Sequence, residues 1–225
     1  MVFVNGFNLF RVTAHAASPG PLVFMSAGIC AFTNSGGLDS QYMDKDYISG
    51  GLSAKGRSMT HEYFMNQALA QAEKAFSAGE FPVGCVIADG EAVVAEGCRR
   101  NSAGLRPNEI DHSEILALRS WYARGQISNP DALTVYCTME PCLMCFGAIL
   151  ISGIRRIVYA YEDVMGGGTR CALSALPPLY SKDAVQIIPH VLREQSLRLF
   201  QAFFAKPENL YWKDSLLAAY TLAQK

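Results

Sequence analysis

Apolar side chains recur every three to four residues in several stretches of the chain, and this period predicts helices. In the first such stretch Phe64, Ala68, Ala72 and Phe76 form one apolar face, Thr60 is placed to cap the helix, and Gly79 ends it. A second helix, in which Ile115, Leu118 and Trp121 or Tyr122 face inward, begins after Asp111, the predicted cap. The predicted helices span 60–79, 112–125, 141–153, 190–205 and 207–223.

Short apolar runs lie between these helices and predict strands. Residues 81–97 read as strand, turn and strand, with Asp89 and Gly90 at the hairpin turn. Three further strands are predicted at 132–138, 155–161 and 184–189. Because helices and strands alternate, the chain is expected to form an α/β fold in which helices cover a central sheet.

Residues 1–58 lack both periods and are rich in Gly, Ser and Ala. They are predicted to be a poorly ordered N-terminal extension, with Met59 as the functional start of a domain that spans 59–225. The apolar run 21–32 leaves a targeting segment open as an alternative, although Arg11 is the one charged residue that precedes it.

Composition narrows the function classes further. The formal net charge is −1, so a general affinity for nucleic acid is not expected, whereas a local RNA-binding patch is compatible with it. Seven cysteines at scattered positions do not resemble the disulfide framework of a small secreted domain, and they favour a reducing, cytoplasmic setting. No apolar run has the length of a membrane helix.

The stretch PCLMC contains two cysteines, Cys142 and Cys145, directly after Pro141. Proline suits the first turn of a helix, so both thiols are expected near a helix N-terminus and on one face. The positive end of a helix favours the thiolate, which is the form that binds metal. This pair alone is compatible with a redox pair, a structural zinc site, the ligands of a catalytic metal, or a chance spacing of two cysteines.

The stretch DHSE, thirty residues earlier, favours the last of these alternatives. His112 and Glu114 are predicted in the first turn of their own helix, at the same edge of the sheet as the two cysteines. One histidine and two cysteines supply three ligands, which is the arrangement of a catalytic zinc that keeps one position open for water. Glu114 is the candidate for taking and returning a proton. Cys137 is expected in the core, and Glu140 is a candidate for fixing the adjacent loop.

The motifs HSE and PCLMC resemble the His-x-Glu and Pro-Cys-x-x-Cys signature of zinc-dependent nucleobase deaminases. Together with GEFPVGCVI, MEPCLMCFGAIL and RRIVYAYED, they are similar to bacterial tRNA-specific adenosine deaminases over about residues 59–205. The resemblance implies a cytidine-deaminase-like three-layer sandwich with a five-stranded mixed sheet, a homodimer, and a tRNA anticodon loop as substrate.

The same resemblance implies roles for individual residues. His112, Cys142 and Cys145 are expected to bind Zn²⁺, which activates a water, and Glu114 is expected to carry the proton to the base and to the leaving ammonia. Asn101 is expected to contact the target base. Backbone N–H groups of Ser113 and Cys142 are expected to hold the oxygen of the tetrahedral intermediate.

Several departures from that family leave the substrate open. Ser113 replaces the usual alanine, the segment after the glycines at 166–168 differs, and the Asp-Pro pair usual before the zinc histidine is missing. The C-terminal stretch 203–225 dilutes the usual basic run and adds an apolar helix. A free base or nucleoside, such as guanine or cytosine, is therefore the alternative substrate, and a non-catalytic zinc scaffold is the lesser alternative.

Overall fold

A computed structural model describes residues 59–104, 106–125, 129–181 and 183–225. The predictions made for residues 1–58 concern a part of the chain outside these ranges. The described chain contains the following helices and strands in order: α1 His61–Ser77, β1 Gly84–Ala88, β2 Val93–Cys98, α2 Ser113–Ala123, β3 Thr134–Met139, α3 Leu143–Ile151, β4 Arg156–Tyr161, α4 Pro178–Ser181, β5 Gln186–Ile188, α5 Arg193–Phe204 and α6 Leu216–Ala223.

The five strands form one mixed sheet in the order β2-β1-β3-β4-β5. Strand β1 pairs antiparallel with β2 and with β3, whereas β3, β4 and β5 run parallel. The hairpin between β1 and β2 turns at Gly90, whose φ of +97° is a conformation that glycine adopts without strain. The predicted α/β class and the five-stranded mixed sheet are confirmed.

The two faces of the sheet carry separate apolar cores, as the alternation of side chains along a strand requires. Cys85, Val135, Cys137 and Ile157 pack with α2 and α3 on one face. Side chains one position along each strand pack with α1 on the other face, among them Val86, Tyr136 and Val158. The described residues therefore form three layers, and Cys137 lies in the core as expected.

The backbones of helix α2 and strand β2 touch directly at Gly97, with no side chain between them. A Cβ atom on Gly97 would lie 2.2 Å from the carbonyl oxygen of Ser113 and 2.6 Å from the amide nitrogen of Ala117. This close approach fixes the first turn of α2 relative to the sheet.

The starts of two helices differ from the predictions. His112, not Asp111, is the N-cap of α2, because the Asp111 carboxylate accepts hydrogen bonds from Asn101 and Asn108 instead. Helix α3 begins at Leu143 with Cys142 as its N-cap, so Pro141 precedes the helix. On α2, Trp121 is buried and Tyr122 is 52% exposed, which settles the choice between these two rings.

The last predicted helix, 207–223, is shorter in the structure. Helix α6 begins at Leu216 after the N-cap Ser215, and the residues before it form turns. Trp212 and Asp214 have φ values of +54° and +63°, which do not fit a right-handed helix. This turn brings Tyr211 and Trp212 to the end of the sheet where the predicted metal site lies.

Candidate zinc-dependent active site

Three of the predicted site residues meet at two helix N-termini. Their ligand atoms, one from each of His112, Cys142 and Cys145, all lie within 4.8 Å of one another. Nδ1 of His112 is 3.6 Å from Sγ of Cys142 and 3.5 Å from Sγ of Cys145. His112 and Cys142 sit at the N-caps of α2 and α3, and Cys145 follows in the first turn of α3.

These distances fit a zinc ion. Zinc binds thiolate sulfur at about 2.3 Å and imidazole nitrogen at about 2.0–2.1 Å with tetrahedral angles, which puts the two ligand atoms about 3.5 Å apart. The nitrogen–sulfur distances match this value. One imidazole and two thiols are also the donor types that zinc prefers, so both chemistry and spacing suit this metal.

The electrostatics of the three residues favour the thiolate at Cys142 and the protonated forms of Cys145 and His112, so binding of a metal would release protons from the last two. A hydrogen bond from the Cys145 thiol, with His112 nearby, lowers the pKa of Cys142 to about 4 despite partial burial. The same shared hydrogen bond and burial raise the pKa of Cys145. Burial alone would lower the pKa of His112, but the hydrogen bond with Cys142 and the charge of Glu114 raise it. One thiolate is therefore already present near neutral pH.

Glu114 lies beside this group and is 4% exposed. Burial raises the pKa of its carboxyl, and the charge of His112 opposes that rise. The Ser113 hydroxyl donates a hydrogen bond of 2.9 Å to Oε2 of Glu114. A carboxyl group with a raised pKa that is held in one orientation suits the transfer of a proton near neutral pH.

The four residues line or adjoin a cavity of about 130 Å³. Its apolar wall includes Phe81, Val83, Met139 and Leu217, and its polar wall includes Glu109, Glu114, Glu140 and Asp163. An apolar pocket with a few convergent polar groups is the usual form of a site for a small planar ligand. Met139, which is buried, is thus part of both the core and the cavity wall.

Glu140 fixes the glycine-rich loop at this cavity. Its carboxylate accepts the backbone N–H of Asp163 at 3.2 Å and the hydroxyl of Thr169 at 2.5 Å. A Cβ atom on Gly167 would lie 2.5 Å from the Glu140 carboxylate, so glycine allows the loop to approach. The loop-fixing role considered for Glu140 is confirmed.

The structure does not bring Asn101 into the cavity. Asn101 is exposed, has a φ of +58°, and donates its side-chain N–H to Asp111 at 2.7 Å. It therefore behaves as a turn residue. Ser113 is buried at the start of α2 and does line the cavity.

Sequence analysis missed Arg99, Glu109 and Tyr211, which join into one network at the cavity wall. Arg99 is 2% exposed, and its Nη2 donates to Glu109 at 3.1 Å and to the Tyr211 hydroxyl at 3.2 Å. That hydroxyl donates to Glu109 at 2.9 Å. Oε2 of Glu109 is also 3.9 Å from Nε2 of His112, on the side of the ring away from the thiols.

This network anchors the C-terminal turn beside the site. Tyr211, Trp212 and Leu217 all line the cavity, and the Tyr211 ring also packs on Phe81 with centroids 5.3 Å apart. An arginine and a glutamate in a polar loop read as surface residues from sequence. The apolar run around Leu217 was the one available signal that the C-terminus packs onto the domain.

Comparisons with known proteins agree with this arrangement. The family model for the cytidine and deoxycytidylate deaminase zinc-binding region matches residues 58–161. The tRNA-specific adenosine deaminase of Haemophilus influenzae is 34% identical over 154 residues, which cover 68% of this chain and 88% of that protein. The protein of the same name from Aquifex aeolicus is 29% identical over 153 residues, which cover 67% and 98%.

A solved structure of guanine deaminase from Nitrosomonas europaea has the same fold, with a TM-score of 0.53 and 20% identity, covering 65% of this chain and 86% of that one. The fold, the site and the relatives together define a zinc-dependent deaminase. The chain belongs to the cytidine and deoxycytidylate deaminase-like family that includes these tRNA-specific relatives. Within the described residues, none of the helices combines the length and apolarity needed to cross a bilayer.

Proposed function

We propose that this protein hydrolytically deaminates adenosine to inosine at the wobble position of a tRNA anticodon. The observation that carries the chemistry is the buried carboxyl of Glu114 beside the three-ligand group in one cavity. The tRNA substrate is supported by relatives of that name that align along 88–98% of their own length.

His112, Cys142 and Cys145 would hold the zinc ion, which when bound supplies the Lewis acidity that makes water a nucleophile near neutral pH. Glu114 takes one proton from the attacking water and delivers it to a ring nitrogen. It then takes the remaining proton of the hydroxyl that has added to the ring carbon and passes it to the amine, which leaves as ammonia. Glu140 and the loop that it holds, together with Tyr211 and Leu217, enclose the base and limit the access of bulk water.

A free purine base is the second candidate substrate, because the C-terminal turn forms part of the cavity wall. Tyr211, Trp212 and Leu217 narrow the cavity to about 130 Å³. The cavity wall carries Glu109, Glu114, Glu140 and Asp163 against Arg99, so it presents no basic rim to a polynucleotide. Both features suit a small, uncharged ligand.

Ammonia release from a panel of substrates separates the two candidates. The panel contains tRNA anticodon stem-loops with adenosine at the wobble position, free adenosine, guanine and cytosine. Enzyme stripped of zinc by a chelator is the blank. Inosine in a stem-loop supports the proposed function, whereas ammonia from guanine with no inosine in any stem-loop supports the second candidate. No ammonia from any substrate would favour the zinc scaffold.

We also infer that the protein is a homodimer. Leu143 and Ile151, at the two ends of α3, are 62% and 59% exposed, and such apolar surface beside an active site suits burial against a second chain. Light scattering on the purified protein should give twice the mass of one chain. A single-chain mass at micromolar concentration would contradict this inference.

A cytoplasmic location is inferred from the cysteines. Cys85, Cys98, Cys137 and Cys171 have free thiols in addition to the two in the zinc site, which suits a reducing compartment. Cell fractionation should find the protein with cytoplasmic markers, and its recovery from a secreted fraction would argue against this.

A further inference from the structure

A groove adjoins the catalytic cavity and shares part of its wall. Glu109, Tyr211 and Trp212 line both the cavity and the groove. The groove has a volume of about 640 Å³, so it is larger than the cavity beside it. A molecule with one ring in the cavity would therefore reach the groove by passing Trp212.

The side chains of the groove suit a second planar ring. Trp212 is 41% exposed and Leu210 is 78% exposed, so an aromatic and an apolar surface face the solvent at its wall. Phe203 also borders the groove, but it is 4% exposed and belongs to the core. Exposed apolar side chains grouped beside a catalytic cavity mark a binding surface more often than chance packing, and aromatic side chains bind single-stranded bases by stacking.

The charges of the groove are balanced, which argues against binding driven by phosphate. Lys206 and Glu208 both line the groove, and Glu109 is already paired with Arg99. The Nζ atom of Lys206 lies 3.8 Å from the centroid of the Phe76 ring, which orients it across the adjacent surface. A ligand held here is selected by stacking and shape, because the groove carries no excess of positive charge.

The turn that carries Trp212 is held firmly enough to act as a stacking surface. The Tyr211 hydroxyl bonds to Arg99 and Glu109, and the Asn209 side chain accepts the backbone N–H of Tyr211 at 3.0 Å. Trp212 itself has a φ of +54°, an uncommon conformation for a bulky residue that persists only where the surroundings enforce it.

Because the groove and the catalytic cavity share a wall at Trp212, we infer that the groove is a second nucleotide subsite. In this subsite the nucleotide next to the target adenosine stacks on Trp212. This inference rests on the proposed function, because a free base has no neighbour. It assigns substrate selection to the C-terminal turn, which is part of the segment that departs from the usual family pattern.

The test combines a protein variant with an altered RNA. Deamination is measured for the wild-type protein and for Trp212→Ala on three stem-loops: the intact loop, a loop with an abasic site 5′ of the target, and one with an abasic site 3′ of it. On the intact loop Trp212→Ala should raise KM roughly tenfold or more. On one of the abasic loops the wild-type protein should already show that loss, and the variant should add little to it.

Matched variants test whether a rise in KM comes from the loss of any exposed aromatic side chain or from misfolding. Tyr63→Ala removes another exposed aromatic side chain, on α1 outside both the cavity and the groove, and should leave KM unchanged on all loops. Leu210→Ala touches only the groove and should show the same coupling in a weaker form. Zinc content and melting temperature of each variant report its folding, and the KM ratio should change little with salt.

Equal losses for Trp212→Ala on all three loops would overturn the subsite, because Trp212 would then act on the target base or on packing alone. Turnover of the intact loop by the wild-type protein with no effect of Trp212→Ala would overturn it too, while leaving the proposed function intact. A wild-type protein that deaminates free purine but none of the loops would overturn the proposed function and the subsite together.

Discussion

Glu114 and the three proposed zinc ligands have separable tasks at the level of single residues. Glu114→Gln keeps the shape of the side chain and removes its ability to exchange a proton, so turnover should fall by about 10²–10⁴-fold. Zinc content should stay the same, because Glu114 is not a member of the ligand group. Ammonia release and metal analysis on the same preparation measure both quantities.

Cys142→Ala is the variant to compare with Glu114→Gln. It removes a ligand atom and should lose both zinc and turnover, since two remaining protein ligands bind zinc far more weakly. Equal zinc loss in Glu114→Gln would contradict the separation of roles, and full activity in that variant would contradict the proposed chemistry.

Glu162 stabilises the fold away from the catalytic cavity. Burial alone would raise the pKa of its carboxyl, but hydrogen bonds from Arg193 and Tyr220 lower it to about 2. Because the folded-state pKa lies below the ordinary value of 4.5, the stabilisation is complete above about pH 4.5 and is lost as the pH falls towards 2.

Glu162→Gln should therefore cost about 1.5–3 kcal/mol of unfolding free energy at pH 7. The difference from wild type should shrink between pH 4.5 and pH 2. Denaturant unfolding at several pH values measures this. Glu194→Gln is the control, since Glu194 is 80% exposed and pairs with Arg198 at 3.8 Å, and it should change stability by less than about 1 kcal/mol. A difference for Glu162→Gln that does not depend on pH would contradict the assignment.

Some residues of the site could be predicted from the sequence, and others could not. His112, Glu114, Cys142 and Cys145 were predictable because their spacing along the chain sets which helix ends they occupy. Arg99 was not, because its burial depends on Tyr211, which is 112 positions away in sequence. The hydrogen bond that the Asn101 side chain donates to Asp111 was not foreseen, because no short motif records it.

Among the structural elements, the contact between β2 and α2 connects the sheet to the active site. Gly97 has no room for a methyl group, because the neighbouring atoms belong to the backbone of α2. Gly97→Ala should displace the first turn of α2, which follows His112 and contains Glu114. We expect a loss of about 1–3 kcal/mol in stability together with weaker zinc retention.

Gly147→Ala is the matched control for this substitution. Gly147 lies within α3, and a Cβ atom there would meet nothing within 4 Å. Alanine favours a helix over glycine, so this variant should be about 0.5–1 kcal/mol more stable and keep its zinc. Thermal unfolding and zinc titration compare the two variants, and equal behaviour would show that the close approach of β2 and α2 is unimportant.

Helices and strands with a clear apolar period were predictable, whereas the turn at 207–215 was not. Helical period continues through Leu217, but packing of Tyr211 on Phe81 and its bonds to Arg99 favour a turn over a longer helix. Those contacts join residues more than a hundred positions apart. The local apolar pattern therefore predicted that a C-terminal helix exists, but it placed the start of that helix too early.

For the whole molecule, the prediction of a domain that begins at Met59 can be tested by truncation. The match to the family model begins at residue 58, and the three proposed zinc ligands lie well after Met59. A chain that starts at Met59 should therefore keep its zinc, its turnover and a melting temperature within a few degrees of the full chain. Insoluble or zinc-free protein would contradict the predicted boundary.

Truncation at the other end should have the opposite effect. A chain that ends at Lys206 loses Tyr211, Leu217 and Ala218 from the core that contains Phe81 and Phe200. It also loses the partners of Arg99 and Glu162 in the C-terminal segment. Because a buried arginine and a buried aromatic cluster would both be exposed, unfolding should shift to clearly lower temperature, and the cavity should lose its wall. Unchanged stability and unchanged KM would mean that the C-terminal segment is neither part of the core nor part of the site.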